Sequence, residues 1–283
     1  MSEHSVRERA AQTARTVDAA VNYSGDAGER PRYHANDKSR DVLALESWQV
    51  PVVDGRALDV APTLEAEGFK LVHAPSAVTD HRDPAQADRY KDEIRALIER
   101  ETGAELVLIS SPGVLRFSER SPDSGELDNS RPARFIHNDV SEPTARAMAV
   151  RALEARGERL EDYSGFASYN VWRPFTPPPQ DVPLAMLDTR TLRPENLIEA
   201  DAVFDLAGKP DWSFEGFLVR HDPAHRWVYF SDMGPEDALL FTTMGYRDGV
   251  PFMVPHTGFD DPSCPDDAPP RASIEMRAMA FFR

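Results

Sequence analysis

One cysteine, Cys264, stands in the whole 283-residue chain, so an internal disulfide and a multi-cysteine zinc site are both excluded. It lies in the loop DDPSCPDDAPP with no partnering base nearby and reads as incidental. Long apolar runs are lacking too. None reaches the roughly 18 residues a membrane span requires, and the N-terminus MSEHSVRERAAQ has no apolar core of a secretory signal. A cytoplasmic protein is therefore expected. Basic charge is scarce, with 32 Lys and Arg against 48 Asp and Glu and a formal net charge of −16. Such a field repels nucleic acid and anionic lipid, so neither is expected as a partner. No Gly-x-Ser-x-Gly segment supports a serine hydrolase.

What is present begins with local patterns. Residues 1–40 are polar and weakly patterned, and read as a short helix followed by a partly extended arm lying on the main body. WQVPVVDGRAL has the β-branched content of a strand ending at the turn signal Asp54-Gly55. TLEAEGFKLVHAPSAV gives a helical turn, a stop at Gly68 and a strand. DPAQADRYKDEIRALIERETGA is the clearest helix: Asp83 can cap it, Pro84 suits its first turn, and Gly103 ends it. Ile94, Leu97 and Ile98 recur at helical spacing, so one face must pack. AELVLISSPGVLRFS reads as two extended pieces, and SEPTARAMAVRALEARG as a second helix capped by Ser141.

Beyond residue 165 the runs are short and β-rich: FASYNVWRPF, VPLAMLDTRTL, GFLVRHDPAHRWVYFSDM, ALLFTTMG, FMVPHTGF and ASIEMRAMAFF. Pro, Gly and Asp punctuate them, as between antiparallel strands. Early helices beside a β-rich second half suggest an α+β domain built on a jelly-roll barrel.

The chemistry centres on RFIHNDVSE, which sets His137 two residues before Asp139 at the end of an apolar run. Two imidazoles and one carboxylate on one face hold Fe(II) and similar ions while leaving positions open. A second histidine must then come from a distant strand. His4 and His34 lie in the polar N-terminal segment, His73 and His81 flank a loop, and His221 and His225 span a turn. His256 instead ends the apolar run FMVP, just before an acidic loop. The final strand follows, with Arg271, Ser273, Glu275 and Arg277 on one face and Ala272, Ile274, Met276 and Ala278 on the other. A polar row there suits a strand lining a polar cavity, where Arg-x-Ser offers a guanidinium fork and a hydroxyl to one carboxylate. The competing reading turns that row to solvent, with Arg271 paired to an aspartate of DDPSCPDD.

The ordered blocks His-x-Asp, YNVWRPFTPPPQDVPLAMLD, HRWVYFSDM, EDALLF and PHTGFDDP…PPRASIEMRA resemble the CmcJ/NvfI family of oxygenases, hydroxylases and desaturases of specialised metabolism. The resemblance runs from about residue 40 to the C-terminus. It implies a double-stranded β-helix (jelly-roll, cupin-like) core with flanking helices, a single oxygenase domain over residues 41–283, and dependence on Fe(II), 2-oxoglutarate and O2. Position by position, His137, Asp139 and His256 match the metal ligands, and Arg271 with Ser273 the grip on the distal carboxylate of 2-oxoglutarate. Arg277 is a second candidate for that anchor. Asn170, Trp172 and Arg173 are expected to line the substrate pocket, although a tryptophan packed under the barrel is an equal reading of Trp172. Asn138 stands where an apolar residue is more usual, and its side chain should point away from the metal. The expected partner is a small molecule, hydroxylated, desaturated or cyclised; apolar strand edges would support a homodimer. Two rival readings are a metal-binding cupin-like protein without 2-oxoglutarate, whose Arg271 face would be exposed, and an accessory protein that binds without oxidising. The intact ligand set argues against the second.

Overall fold

The computed structural model describes residues 15–247 and 249–283. Strands dominate it. The first half carries β1 (Thr16–Ser24), β2 (Arg32–His34), β3 (Leu45–Asp54), β4 (Phe69–His73), helix α1 (Ala87–Thr102), β5 (Leu106–Ile109), β6 (Val114–Phe117), β7 (His137–Asn138) and helix α2 (Glu142–Glu154). Next come β8 (Gly165–Pro174), β9 (Leu184–Leu187), β10 (Leu197–Phe204), β11 (Trp212–Val219) and β12 (Trp227–Tyr229). The last are β13 (Asp237–Arg247), β14 (Val250–Phe252), β15 (His256–Gly258) and β16 (Ala272–Phe282).

The strands form two sheets. One has nine strands in the order β1-β3-β12-β9-β15-β7-β11-β10-β2. The other runs β14-β13-β8-β16-β5, with β4 also pairing β13 and β6 also pairing β16. Trp172, Phe69, Leu239 and Phe241 of the second sheet pack against Met186 and Val228 of the first and against Phe230 and Val254 in the segments after β12 and β14. The opposite face of the second sheet is closed by α1, whose Tyr90, Ile94, Leu97 and Ile98 meet Tyr169, Val171, Ile274, Met276 and Ala278. Each such aliphatic burial contributes roughly 1.5–3 kcal/mol.

Helix ends follow the sequence signals. Asp83 accepts from the Ala85 amide over a short 3-10 turn that leads into α1, and Gly103 ends it at φ 68°. Ser141 caps α2 by accepting from Thr144 N.

The N-terminal segment departs from expectation. Residues 16–24 are a strand paired along its length with β3, and residues 32–34 pair in parallel with β10. The cause is period two: Val17, Ala19, Val21 and Tyr23 alternate into a buried cluster. The described part of the arm is thus integral to the larger sheet, while a helix before it would lie outside the described residues. The sequence reading also passed over β10, which pairs β11 along its length.

Candidate metal centre

The site grows from three strands of the larger sheet. His256 of β15 and His137 of β7 are directly opposed partners, and His137 is in turn opposed to Leu218 of β11. Partners share a face, so both imidazoles project to the same side. Immediately past β7 the chain leaves the sheet and Asp139 turns back toward them. One ligand atom from each of His137, Asp139 and His256 lies within 4.8 Å of the others, and all three residues are buried. His137 Nε2 stands 3.8 Å from Asp139 Oδ1. That passage needs Gly216 of β11, where a Cβ would come within 2.6 Å of the Asp139 carbonyl oxygen and 2.7 Å of that of Asn138.

Both imidazoles are aimed by their own backbones. His137 Nδ1 lies 3.1 Å from Phe135 O, and His256 Nδ1 lies 3.1 Å from Val254 O. A carbonyl only accepts, so each Nδ1 carries the proton and each Nε2 keeps its lone pair. Burial, with His256 alongside, pushes His137 down to about 3, so this ring is neutral and ready for a metal near pH 7. Asn138 points away, as expected, donating to Val140 O and Thr243 O at 2.8 and 2.9 Å.

Asp139 is held at both oxygens. Asn170 Nδ2 donates to Oδ2 at 2.6 Å, and Arg277 Nη2 lies 3.4 Å from Oδ1. Burial opposes ionisation of Asp139, but the Arg277 guanidinium, helped by the Asn170 hydrogen bond, outweighs it and holds the carboxyl below the usual range. Arg277 is also fixed by Glu275, at 3.0 Å from Nε and 2.9 Å from Nη2. Its guanidinium is thus committed to two carboxylates.

Arg271 differs sharply. It is 1% exposed, and among the described residues its Nε and Nη2 have no hydrogen-bond partner. Among the described residues it forms no ion pair; Asp181 instead accepts from its backbone N–H at 2.8 Å. Burial, with Arg116 and Arg134 adding to it, draws its pKa down to about 9. The polar row on β16 therefore faces inward: Arg271, Ser273 and Glu275 are all buried. Ser273 Oγ donates to Arg116 O at 3.4 Å.

Cavities flank the ligands on several sides. A narrow one is bordered by His137, His256, Trp172, Arg271, Glu275 and Arg116. A larger one, about 500 Å³, has Asp139, Asn170 and Arg277 in its wall together with Phe204, Trp212 and Phe214. A third, about 610 Å³, is lined by Leu197, Phe217 and Met253 among others and contains none of the three ligands. Trp172 thus borders the small cavity and Asn170 the large one. Arg173 reaches neither. It donates to Tyr90 Oη at 3.2 Å and Pro235 O at 2.6 Å on the α1 side of the sheet. Consecutive strand residues point to opposite faces, so Trp172 and Arg173 cannot both face one cavity.

Sequence reasoning missed several neighbours. Arg116 of β6 is half-buried in the same charge cluster, its Nη1 donating to Asn129 O, Asn129 Oδ1 and Arg131 O. An arginine inside the apolar run VLRF was the available signal. Tyr33 of β2 borders the ligand cleft with His137 and Asp139.

A family model described as an oxidoreductase/YMDC permease-like domain matches residues 21–281. The chain belongs to that family. Oxidoreductase R1 of a Phoma species is 30% identical over 267 residues, covering 86% of this chain and 89% of the relative. The Fe(II)/2-oxoglutarate-dependent dioxygenase nvfI of Aspergillus novofumigatus is 28% identical, over 90% of this chain and 93% of its own. A solved structure of the iron and alpha-ketoglutarate-dependent endoperoxidase NvfI superposes with a TM-score of 0.76 at 24% identity, over 94% of this chain and 98% of that one. That likeness establishes a shared fold. The resemblance to the CmcJ/NvfI family is borne out, and the chain is an oxidoreductase.

Proposed function

We infer that this oxidoreductase is a non-haem Fe(II)- and 2-oxoglutarate-dependent oxygenase acting on a small molecule of specialised metabolism. The observation that carries this reading is the pairing of an open two-histidine, one-carboxylate set with a buried, unpartnered guanidinium at Arg271. The donor set fits Fe(II), and the orphaned Arg271 nitrogens fit an anionic co-substrate beside it. The two facing sheets are, on this reading, the halves of a double-stranded β-helix within one oxygenase domain, to which β1 and β2 belong.

His137 and His256 would hold iron through Nε2, and Asp139 through the oxygen not taken by Asn170. Arg271, assisted by Ser273, would take the distal carboxylate of 2-oxoglutarate; Arg277 is spent on Asp139 and Glu275. When bound, iron and 2-oxoglutarate supply O2 activation coupled to decarboxylation to succinate, and with it the oxidising power to remove hydrogen from a substrate. The protein's part is placement. Phe204, Trp212 and Phe214 offer stacked apolar surface in the large cavity, with Phe204 and Trp212 rings 4.3 Å apart. They would hold the substrate against Asp139 and keep water from it. Hydroxylation, desaturation and oxidative cyclisation differ by which hydrogen is presented.

The inward burial of Arg271 favours this over a cupin-like metal binder, which needs that face exposed. The test is succinate formation from 2-oxoglutarate by Fe(II)-loaded protein in air. Several equivalents of succinate per protein are expected, and none from Arg271→Gln. Absence of succinate from the unmutated protein would overturn the reading.

A further inference from the structure

Few buried side-chain polar atoms in the described residues lack a partner, and two of the side chains that carry them border the same narrow cavity: Trp172, with Nε1, and Arg271, with Nε and Nη2. Native interiors satisfy nearly all such groups, so two side chains with unsatisfied donors bordering one space point to a ligand that accepts from both. Trp172 is 1% exposed. Its ring body is fixed among Phe69, Met186 and Phe241, which explains the apolar part of the side chain but not the N–H. Phenylalanine would fill that role without leaving a donor unmade. The directly opposed residue on β16 is Glu275, yet that carboxylate is engaged by Arg277. The Arg271 guanidinium carbon lies over the Trp172 ring, 5.7 Å from its centroid, so the two side chains are neighbours.

We propose that the Trp172 indole N–H is a second donor, beside Arg271, to the distal carboxylate of the 2-oxo acid, and that it helps select dicarboxylates over monocarboxylates. This rests on the oxygenase reading above. A carboxylate has about four acceptor positions; a guanidinium fork fills two, and the indole a third. Ser273, on the same strand face, is occupied by the Arg116 carbonyl and supplies less.

The test compares 2-oxoglutarate with pyruvate, which lacks the distal carboxylate, in anaerobic titrations of the Fe(II)-loaded protein followed by the visible charge-transfer absorption of the chelate. Trp172→Phe should weaken 2-oxoglutarate about tenfold or more, the scale of one hydrogen bond to a charged group, while pyruvate changes less than about twofold and Fe(II) affinity is unchanged. Equal loss of both acids, or loss of neither, would overturn the proposal. Failure of the unmutated protein to give any 2-oxoglutarate-dependent absorption would instead overturn the oxygenase reading. Should Trp172→Phe not fold, the unmutated protein labelled with 15N-tryptophan and loaded with Zn(II) serves. Of its four tryptophans, Trp48 and Trp212 are identified by Trp48→Phe and Trp212→Phe, and Trp227 Nε1 already donates to Tyr23 Oη at 2.8 Å. Trp227→Phe identifies the third, and the indole resonance then left should move downfield with 2-oxoglutarate and not with pyruvate. A resonance that ignores both acids would overturn the proposal.

Discussion

Asn170 Nδ2 donates to Asp139 Oδ2 at 2.6 Å, from the opposite sheet and with both residues buried. The bond ties a strand-centre amide to a carboxylate that has just left its own strand. It therefore fixes which oxygen of Asp139 remains for a metal. Replacing Asn170 by Ala should lower metal affinity about 10–100-fold, the usual cost of losing a group that orients a ligand. Competition titration with Co(II) or Zn(II) measures it, and unchanged affinity would show that Asp139 needs no such brace.

Arg271 and Arg277 share a strand face but should respond in opposite ways to removal. Arg271 is a buried cation with no ion-pair partner among the described residues, which costs stability rather than providing it. Arg271→Met should therefore raise the melting temperature of the metal-free protein while abolishing 2-oxoglutarate binding and leaving Fe(II) binding intact. A lower melting temperature would mean that the guanidinium is structural.

Arg277 compensates two buried carboxylates, Asp139 and Glu275. Arg277→Met leaves both uncovered and should cost about 3–5 kcal/mol, as breaking a buried ion pair does. Adding Glu275→Gln should recover a large part of that loss, because one of the two exposed charges is then gone. Denaturant unfolding of the four proteins in this cycle gives the coupling. Additive effects would contradict the shared role.

Gly216 has room for no side chain, with two backbone carbonyl oxygens inside 3 Å of where a Cβ would sit. Gly216→Ala should push the segment after β7 away from β11 and carry Asp139 with it. Metal affinity should fall well beyond the effect of the same change at Gly157, where a Cβ would meet nothing within 4 Å. Gly157 sits at φ 74°, so its own substitution cost is strain, with no route to the metal.

Much of this centre could be read from the chain because its information is local or periodic. His-x-Asp after an apolar run, and His256 after another, are local signals, although each histidine opens a short strand, β7 or β15, and does not close a longer one. The alternation from Arg271 to Arg277 separated a polar face from an apolar one, and the structure buries both. What could not be read depends on cross-strand register. Asn170 meets Asp139 only because β8 lies opposite β7, and no spacing along the chain encodes that. The resemblance implies Arg173 in the pocket beside Trp172, although neighbours on a strand point to opposite faces. Tyr33 was hidden in a segment whose short strand is held in place by β10, itself passed over because LIEADAVF mixes charge into its alternation.

The most direct measurement is an anaerobic titration of the metal-free protein with Fe(II) and then 2-oxoglutarate, in the unmutated chain and in His256→Ala. A visible charge-transfer band should appear that needs both additions and disappears with His256. Iron binding without the band would remove 2-oxoglutarate from the account, and no iron binding at all would contradict the metal centre of His137, Asp139 and His256.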